Sequence, residues 1–383
     1  MMRRLLLALL AASVVTACSK DKVREPAELK DIENPALKFK TAWSSHPGNG
    51  SGDYYGELGL TLAEDALYAA DVKGRVYALD PVNGKTTWRA QTGERVISGP
   101  TVSGNAVFVG SMDGHVIALK RADGSDYWKT KVSSEVLAPP VSDGTLTIAR
   151  AGDGKIYALS SVSGAQVWMF DRTVPNLTLR GLGRPEIVGS LAFVGMDNGR
   201  VAAVRMADGQ AQWEQLIAAP TGRNELERLT DVDATLLVDG GELYAASFGG
   251  EVVCLDGDTG QVLWRRSLRS YTGMARVNDL VVVTDESGVV WGLDARTGAA
   301  AWKNEDLLYR KLSPPAVFAD HVVVGDFDGY LHWLDPKDGR IVARGRIGSD
   351  PIRTAPVAGP DMLYVMNVAG RINAIQLKPA PTR

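Results

Sequence analysis

A cysteine near the start of the chain is the residue whose type and position most clearly indicate chemistry. Two arginines and a short apolar run are followed by the small residues Val15, Thr16 and Ala17, directly before Cys18. A charged start, a short apolar core and a small-residue cleavage site are typical of a secretory signal, and the last four residues resemble a bacterial lipobox. The sequence therefore predicts a signal peptide over residues 1–17 and a lipidated thiol at Cys18. An ordinary signal peptide that happens to contain a cysteine is the alternative.

The residues after Cys18 indicate where the mature protein would be held. Ser19 stands where an aspartate commonly favours retention in the inner membrane, so we expect anchoring in the outer membrane, facing the periplasm. Several acyl chains together make a durable anchor, since each buried methylene adds about 0.8 kcal/mol of membrane affinity. Residues 18–37 are polar and contain two prolines, which predicts a flexible tether.

Catalytic chemistry finds little support in the rest of the chain. There is no nucleophile-elbow motif and no glycine-rich loop in a strand–loop–helix context. A formal charge of −3 without a basic stripe argues against nucleic acid as a partner. We therefore predict no catalytic residues, no metal and no cofactor. The histidines, which lack metal-ligand spacing, are His46, His115, His321 and His332.

The elements that position any site come from a repeat of about 40 residues, which indicates one copied supersecondary unit. Each copy has short alternating strands separated by glycine turns, several of which read Asp-Gly, and this pattern predicts an antiparallel meander of about four strands. Such sheets repeated around an axis form a β-propeller. The fold class expected is all-β, an eight-bladed β-propeller of four-stranded antiparallel blades. The turn glycines of the eight copies are Gly74, Gly114, Gly154, Gly199, Gly250, Gly288, Gly329 and Gly370.

The two ends of the repeat array complement each other. The last copy stops at Leu377, before its outer strand, and the missing strand is present near the start as residues 39–43. We therefore expect an N-terminal strand to complete the last blade and close the ring. The propeller is predicted over residues 38–378, with a C-terminal tail over 379–383. A solenoid of hairpins is the alternative, but it would expose open ends.

The tryptophans have a recurrent place in this repeat, four residues after the second glycine of a copy. An aromatic residue that recurs once per blade favours packing between blades over binding of a ligand. The seventh copy has Ala343 at that place, which predicts a weaker contact there, and Trp291 and Trp333 fall elsewhere without an assigned role. The regular positions are Trp88, Trp128, Trp168, Trp213, Trp264 and Trp302, and Trp43 takes the equivalent place in the N-terminal strand.

Two consecutive repeats are longer than the others. The interval from Gly154 to Gly199 is 45 residues, and that from Gly199 to Gly250 is 51. Both insertions fall in the link from an outer strand to the next inner strand, and such links share one face of the ring. Insertions clustered on one face are the usual mark of a binding surface. The candidate partner-binding residues are Leu177, Leu179 and Arg180 in the first insertion, and Arg228, Asp231 and Asp233 in the second.

Other interpretations of these residues stay open from chemistry alone. The leucines are either core plugs or exposed anchors. The two aspartates could form salt bridges to Arg180 or Arg228 that merely order the loops, or a metal site, for which the glycine-bearing pattern of a calcium loop is missing.

The repeat resembles the PQQ-type propeller family, in which glycine and tryptophan dock neighbouring blades. With Cys18 and eight blades, the whole chain resembles the BamB family of lipoproteins, most specifically in Leu177–Gly181 and Glu227–Asp233. The resemblance implies a noncatalytic scaffold of the Bam complex that supports folding and insertion of outer-membrane β-barrels. It implies that Leu177, Leu179, Arg180, Asp231 and Asp233 meet a POTRA domain of BamA. Contact with unfolded outer-membrane proteins is a further possibility.

Two alternative functions remain at this point. One is a periplasmic propeller that binds another envelope protein or ligand. The other is a PQQ-dependent dehydrogenase, a class that shares the repeat. Those enzymes generally need a longer chain, calcium ligands and a vicinal cysteine pair, and this chain has only Cys18 and Cys254. Cys254 occupies a small core position of the repeat.

Overall fold

The computed structural model describes residues 24–33, 35–54, 56–64, 66–172, 183–219, 230–232 and 234–379. The described residues form 32 β-strands in eight four-stranded antiparallel sheets, and this confirms the predicted eight-bladed propeller. Within these ranges there is no helix with the length and apolar character that a membrane crossing requires.

The first four blades each follow the chain from the inner strand to the outer strand. Blade 1 consists of β2 (Leu60–Leu62), β3 (Leu67–Ala70), β4 (Arg75–Leu79) and β5 (Thr86–Gln91). Blade 2 consists of β6 (Val96–Ser103), β7 (Ala106–Ser111), β8 (His115–Lys120) and β9 (Asp126–Lys131). Blade 3 consists of β10 (Val141–Ser142), β11 (Leu146–Arg150), β12 (Ile156–Ser160) and β13 (Gln166–Phe170). Blade 4 consists of β14 (Glu186–Val188), β15 (Leu191–Gly195), β16 (Arg200–Arg205) and β17 (Ala211–Leu216).

The last four blades repeat this order until the eighth, whose outer strand is the first strand of the chain, β1 (Leu37–Ser45). Blade 5 consists of β18 (Leu237–Asp239), β19 (Glu242–Ala246), β20 (Glu251–Asp256) and β21 (Val262–Ser267). Blade 6 consists of β22 (Met274–Val277), β23 (Leu280–Thr284), β24 (Val290–Asp294) and β25 (Ala300–Asn304). Blade 7 consists of β26 (Ala316–Phe318), β27 (His321–Gly325), β28 (Tyr330–Leu334) and β29 (Ile341–Arg346). Blade 8 consists of β30 (Val357–Ala358), β31 (Leu363–Met366) and β32 (Ile372–Pro379), completed by β1.

The core lies between neighbouring blades, because the two middle strands of each blade are apolar on both sheet faces. All four residues of β3 are buried, whereas the outer strand β5 alternates between exposed and half-buried residues. Between blades 1 and 2, for example, Tyr68 and Val76 pack with Val109 and Ile117. Fully burying a side chain of this size stabilises the fold by about 1.5–3 kcal/mol.

The ring is closed as the sequence predicts. Strand β1 pairs antiparallel with β32, from Leu37 opposite Pro379 to Ser45 opposite Ile372, with one irregularity between Thr41 and Trp43. The N-terminal strand therefore covers the edge that the last strand of the chain would otherwise expose, and a closed ring has no free sheet end.

The repeated tryptophans are seam residues, which confirms their predicted packing role. Trp43 Nε1 donates a hydrogen bond to the carbonyl of Pro81 in the next blade at 3.0 Å. A Cβ at Gly84 of that blade would come within 2.4 Å of the same indole ring, so only glycine fits there. Matching Nε1 bonds reach the carbonyls of Arg121, Ser161, Met206, Gly257, Ala295 and Pro336 from the other six seam tryptophans.

The seam between blades 7 and 8 is built differently, because blade 8 takes its outer strand from the start of the chain. Trp333 is fully buried and stacks on Phe39 of β1, with ring centroids 5.8 Å apart. A Cβ at Gly345 would come within 2.0 Å of Phe39. The aromatic contact that Ala343 does not provide is thus supplied by Trp333 and the closing strand.

Trp291, the other tryptophan outside the pattern, supports a turn. Its Nε1 donates a hydrogen bond to Oδ2 of Asp285 at 3.0 Å. The guanidinium of Arg266 lies 5.2 Å from its ring centroid.

The segment before β1 differs from the flexible tether that the sequence predicts. The amide of Ala27 donates a hydrogen bond to the carbonyl of Leu308 at 2.9 Å. Leu29 and Ile32 pack against the core cluster between blades 6 and 7. Residues 24–33 therefore lie against the ring, and residues 1–23, including Cys18, lie outside the described ranges.

Candidate functional site

One face of the ring carries both insertions. Because every blade is an up-and-down meander, the links from outer to inner strands and the turns between the two middle strands emerge on the same side, here called the link face. The link from β13 to β14 holds the first insertion, and the link from β17 to β18 holds the second. Blades 3, 4 and 5 therefore border the candidate site.

The structure describes one of the six expected partner-binding residues, Asp231. The other five lie outside the described ranges, namely Leu177, Leu179, Arg180, Arg228 and Asp233. Their role as a surface stays a prediction.

Asp231 lies in a short piece of the link that is wedged into the ring. It is 1 % exposed, and its neighbours Thr230 and Val232 are also buried. The Asp231 carbonyl accepts a hydrogen bond from the amide of Phe248 in blade 5 at 3.0 Å. The amide of Val232 donates to the carbonyl of Met196 in blade 4 at 3.2 Å. The Asp231 side chain is therefore buried within the link, and the salt bridges to Arg180 or Arg228 that the sequence left open lie outside the described residues.

The same piece of the link fits against glycine turns. A Cβ at Gly199 of blade 4 would come within 2.2 Å of the Ala218 carbonyl, and one at Gly249 of blade 5 within 3.1 Å of the Thr230 side chain. The second insertion is therefore fixed at both of its ends by the turns of two adjacent blades.

A buried ion pair joins blades 3 and 4 beneath this part of the link face. The Arg150 guanidinium, at the end of β11, bonds the Asp197 carboxylate in the turn that follows β15, and both side chains are almost fully buried. Burying two opposite charges costs desolvation energy that a close pair offsets, and removing one partner is strongly destabilising. The pair therefore ties together the two blades that flank the first insertion.

Sequence reasoning missed this pair although the repeat contained the signal. The residue four before the turn glycine is small or apolar in most copies, for example Ala70, Gly110 and Gly195, but it is arginine at position 150. A charged residue at a core position of one copy indicates a buried partner, since charged side chains are almost never fully buried unpaired.

A second departure accompanies the pair. In six blades, the residue three positions before the turn glycine has a polar side chain. That side chain accepts a hydrogen bond from the backbone amide of the residue directly after the glycine. Examples are Asp71, which accepts from Arg75 at 3.2 Å, and Asp326, which accepts from Tyr330 at 2.9 Å. Blades 3 and 4 have Ala151 and Met196 there. The other four acceptors are Ser111, Ser247, Asp285 and Asn367.

One acidic residue near the inner strands is electrostatically unusual. Glu57 precedes β2 of blade 1, and burial raises its pKa to about 7, against the opposing charge of Arg184 and with a contribution from Glu186. Arg184 pairs with Glu186, with Nε 3.0 Å from Oε1. The Oε2 atom of Glu57 is buried and has no hydrogen-bond partner among the described residues.

Metal-ligand geometry is not found in the part of the chain that the structure describes. No group of three or more histidine, cysteine, aspartate or glutamate side chains is placed to hold an ion there. The buried Cys254 carries a thiol whose pKa is raised by burial to about 12, so it is a core residue without nucleophilic character at neutral pH.

The closed ring, the tryptophan–glycine seams and the one-sided insertions define an eight-bladed propeller of the PQQ-repeat class. A family model described as outer membrane protein assembly factor BamB matches residues 55–304. The BamB of Pseudomonas aeruginosa is 48% identical over 374 residues, covering 97% of this chain and 98% of that protein. The chain belongs to the BamB family.

One solved structure agrees with this assignment, and a second shares the fold. The crystal structure of BamB from Moraxella catarrhalis has a TM-score of 0.81 and 26% identity, and covers 88% of this chain and 100% of that one. A quinohemoprotein alcohol dehydrogenase from Comamonas testosteroni has a TM-score of 0.70 at 14% identity, covering 91% of this chain and 78% of that enzyme. The second likeness shows the fold alone.

Proposed function

We propose that this protein is a noncatalytic, lipid-anchored scaffold for outer-membrane protein assembly, and that it works by binding BamA. Relatives over nearly the full chain are named assembly factors, which supports the assembly role. The observation that carries the binding role is the placement of the two long links. They occupy consecutive positions on one face, beside blades that carry their own buried ion pair.

The proposed contact surface has two parts: a link segment that is held by the ring, and residues that are proposed to contact the partner. Residues 230–232 are held between the turns of blades 4 and 5. They are proposed as the fixed base of the second insertion. Leu177, Leu179, Arg180, Arg228 and Asp233 are proposed to contact a POTRA domain of BamA, while Asp231 positions the link.

The proposed location follows from the start of the chain. A lipid on Cys18 would hold the protein at the outer membrane with the propeller in the periplasm, within the Bam complex. Unfolded outer-membrane proteins are a further proposed partner.

Co-purification with BamA tests the proposal. Leu179→Ala and Arg180→Ala should each reduce recovery of BamA by at least about tenfold, the effect of losing about 1.4 kcal/mol of binding energy. Hot-spot residues of an interface commonly carry more than this. Thermal stability should stay unchanged. Val162→Ala, at an exposed position in a turn on the opposite face of blade 3, is the matched control.

Two outcomes would contradict the proposal. A loss of stability together with binding would make the two residues structural plugs. Failure of the unaltered protein to recover BamA would remove the binding role itself.

A further inference from the structure

The segment ahead of the first strand, residues 24–33, is bound along the outside of blade 7 and is here called the N-terminal strap. Its backbone is held near one end by the hydrogen bond from Ala27 to Leu308 at 2.9 Å. Just beyond its other end, the amide of Ala36 donates to the carbonyl of Val342 in β29 at 3.0 Å. The strap therefore crosses the outer edge of blade 7, from the link that follows blade 6 to the seam with blade 8.

Apolar contacts hold the strap between these two points. Leu29 and Ile32 are half-buried against the cluster that contains Trp302 and Leu307, while Glu28 and Asp31 between them are exposed. This division of inward apolar and outward charged side chains is that of a docked segment. A tether that did not contact the ring would not show this division of side chains.

Two arginines of the ring bind carbonyls of the strap. Arg310 Nη1 donates to the carbonyl of Ala27 at 3.1 Å, and Arg344 Nη1 donates to the carbonyl of Lys30 at 2.7 Å. Arg310 is itself almost fully buried. Charge-assisted hydrogen bonds of this kind are stronger than neutral ones.

The two arginines are held in place by one buried carboxylate and one buried imidazole. Asp326 Oδ2 accepts from Arg310 Nε at 2.7 Å and from His332 Nε2 at 3.0 Å. His332 Nδ1 in turn accepts from Arg344 Nε at 3.2 Å. Burial lowers the pKa of His332, so the ring is neutral and Nδ1 is able to accept. The strap thus docks onto a preorganised polar network.

From this geometry we propose that the strap fixes the point at which the membrane anchor leaves the ring, beside the link between blades 6 and 7. The proposal rests on the lipid at Cys18. Between Cys18 and Arg24 there are six Cα steps, which span at most about 22 Å when fully extended. A docked strap therefore presents one edge of the ring, at blades 6 and 7, to the lipid surface.

The same geometry relates the anchor to the partner surface. Near its start the strap bonds through Ala27 to Leu308, which lies in a link from an outer strand to an inner strand. The insertions are in links of the same kind, so anchor and insertions share the link face. The anchor would therefore hold the ring by its edge at blades 6 and 7, on the side of the link face, with the insertions displaced around the ring at blades 3–5.

Energy transfer to a membrane dye tests the proposal on the mature lipidated protein. Donor labels are placed at Glu305→Cys, beside the strap, and at Val162→Cys in blade 3, with an acceptor dye in vesicles of phosphatidylethanolamine and phosphatidylglycerol. Cys254 is buried and does not compete for label. We expect at least about fivefold more transfer from position 305, since transfer falls steeply with distance. Equal transfer from both positions of vesicle-bound protein would overturn the docked strap.

Releasing the strap should abolish the difference. Leu29→Asp with Ile32→Asp is expected to equalise transfer from the two labels while the blades stay folded, and the exposed Glu28→Gln should leave it unchanged. Hydrogen exchange of the Ala27 amide provides a check that needs no variant. Exchange slowed at least about tenfold relative to a free peptide supports docking, and free-peptide rates oppose it. Protein that does not bind vesicles at all would instead disprove the lipid anchor, leaving BamA binding untouched.

Discussion

At the scale of single residues, the departures from the repeat carry most of the specific information. Arg150 stands where most other copies have a small or apolar residue, and with Asp197 it forms a buried ion pair between two blades. Glu57 is an acid whose ionisation the fold opposes, and its charged neighbours Arg184 and Glu186 belong to blade 4 or directly precede it. Neither feature is needed to form a propeller, and both involve blades that border the insertions.

The buried pair predicts a large effect for a small change. Asp197→Asn removes the carboxylate that neutralises Arg150, and breaking a buried pair in this way costs about 3–5 kcal/mol. We expect the melting temperature to fall by several degrees. Asp153→Asn is the control, because the ion pair of Asp153 with Lys155 is partly exposed and such pairs contribute about 0–1 kcal/mol. If differential scanning calorimetry gave equal shifts in melting temperature for both variants, the buried pair would contribute no more stability than the partly exposed one.

Glu57 predicts a dependence of stability on pH. Its folded pKa of about 7 lies above the ordinary value of 4.5, so the folded state binds the proton more tightly than the unfolded state. Stability from this group is complete below about pH 4.5 and is lost as pH rises through 7. Glu57→Gln should therefore raise the melting temperature at pH 8 and change it little at pH 5. For each kcal/mol of relief we expect about 1–2 °C, because the unfolding entropy is about 2.1 cal/mol/K per residue and grows with the length of the ring.

The exposed Glu64→Gln is the comparison for this pH experiment. An equal change at both pH values, or a change of the same size in the comparison variant, would mean that Glu57 ionises freely in the fold.

At the scale of elements, the seam is the repeated unit of stability. Each of seven seams combines an indole hydrogen bond with a glycine that the indole ring covers, so one blade recognises the next by shape and by one polar contact. In the eighth seam, between blades 7 and 8, the stacked rings of Phe39 and Trp333 join the two blades instead.

Two glycines of nearly equal backbone conformation separate the contribution of the seam from backbone strain. Gly260 has φ +72°, and a Cβ added there would come within 2.5 Å of the Trp213 ring, whereas Gly93 has φ +73° and open space around it. Both Gly→Ala variants carry the strain of a positive φ, about 1–2 kcal/mol. Gly260→Ala should be more destabilising by a further ~1–3 kcal/mol, the cost of overpacking. Equal loss in urea unfolding would show that the seam yields easily to an added methyl group.

At the scale of the whole molecule, regular features were predictable from the sequence and singular ones were not. The period of the glycines and tryptophans predicts blade number, seam contacts and ring closure, because the same turns and packing contacts recur in each repeat. The strap could not be predicted, since its contacts with Arg310 and Arg344 join positions about 300 residues apart and follow no period. For the insertions, Asp231 shows that spacing locates a loop without telling which of its side chains face outward.

Ring closure also has a consequence for how the protein is made. Among the described strands β1 comes first in the chain and its partner β32 comes last, so β1 is synthesised long before β32. The chain must therefore keep β1 without its β32 partner until β32 has been synthesised, and only then can it complete the last blade. A chain cut short before β32 would leave β1 and β31 with unsatisfied backbone groups, which marks it for proteases. Only protein molecules that include β32 can therefore form the closed ring.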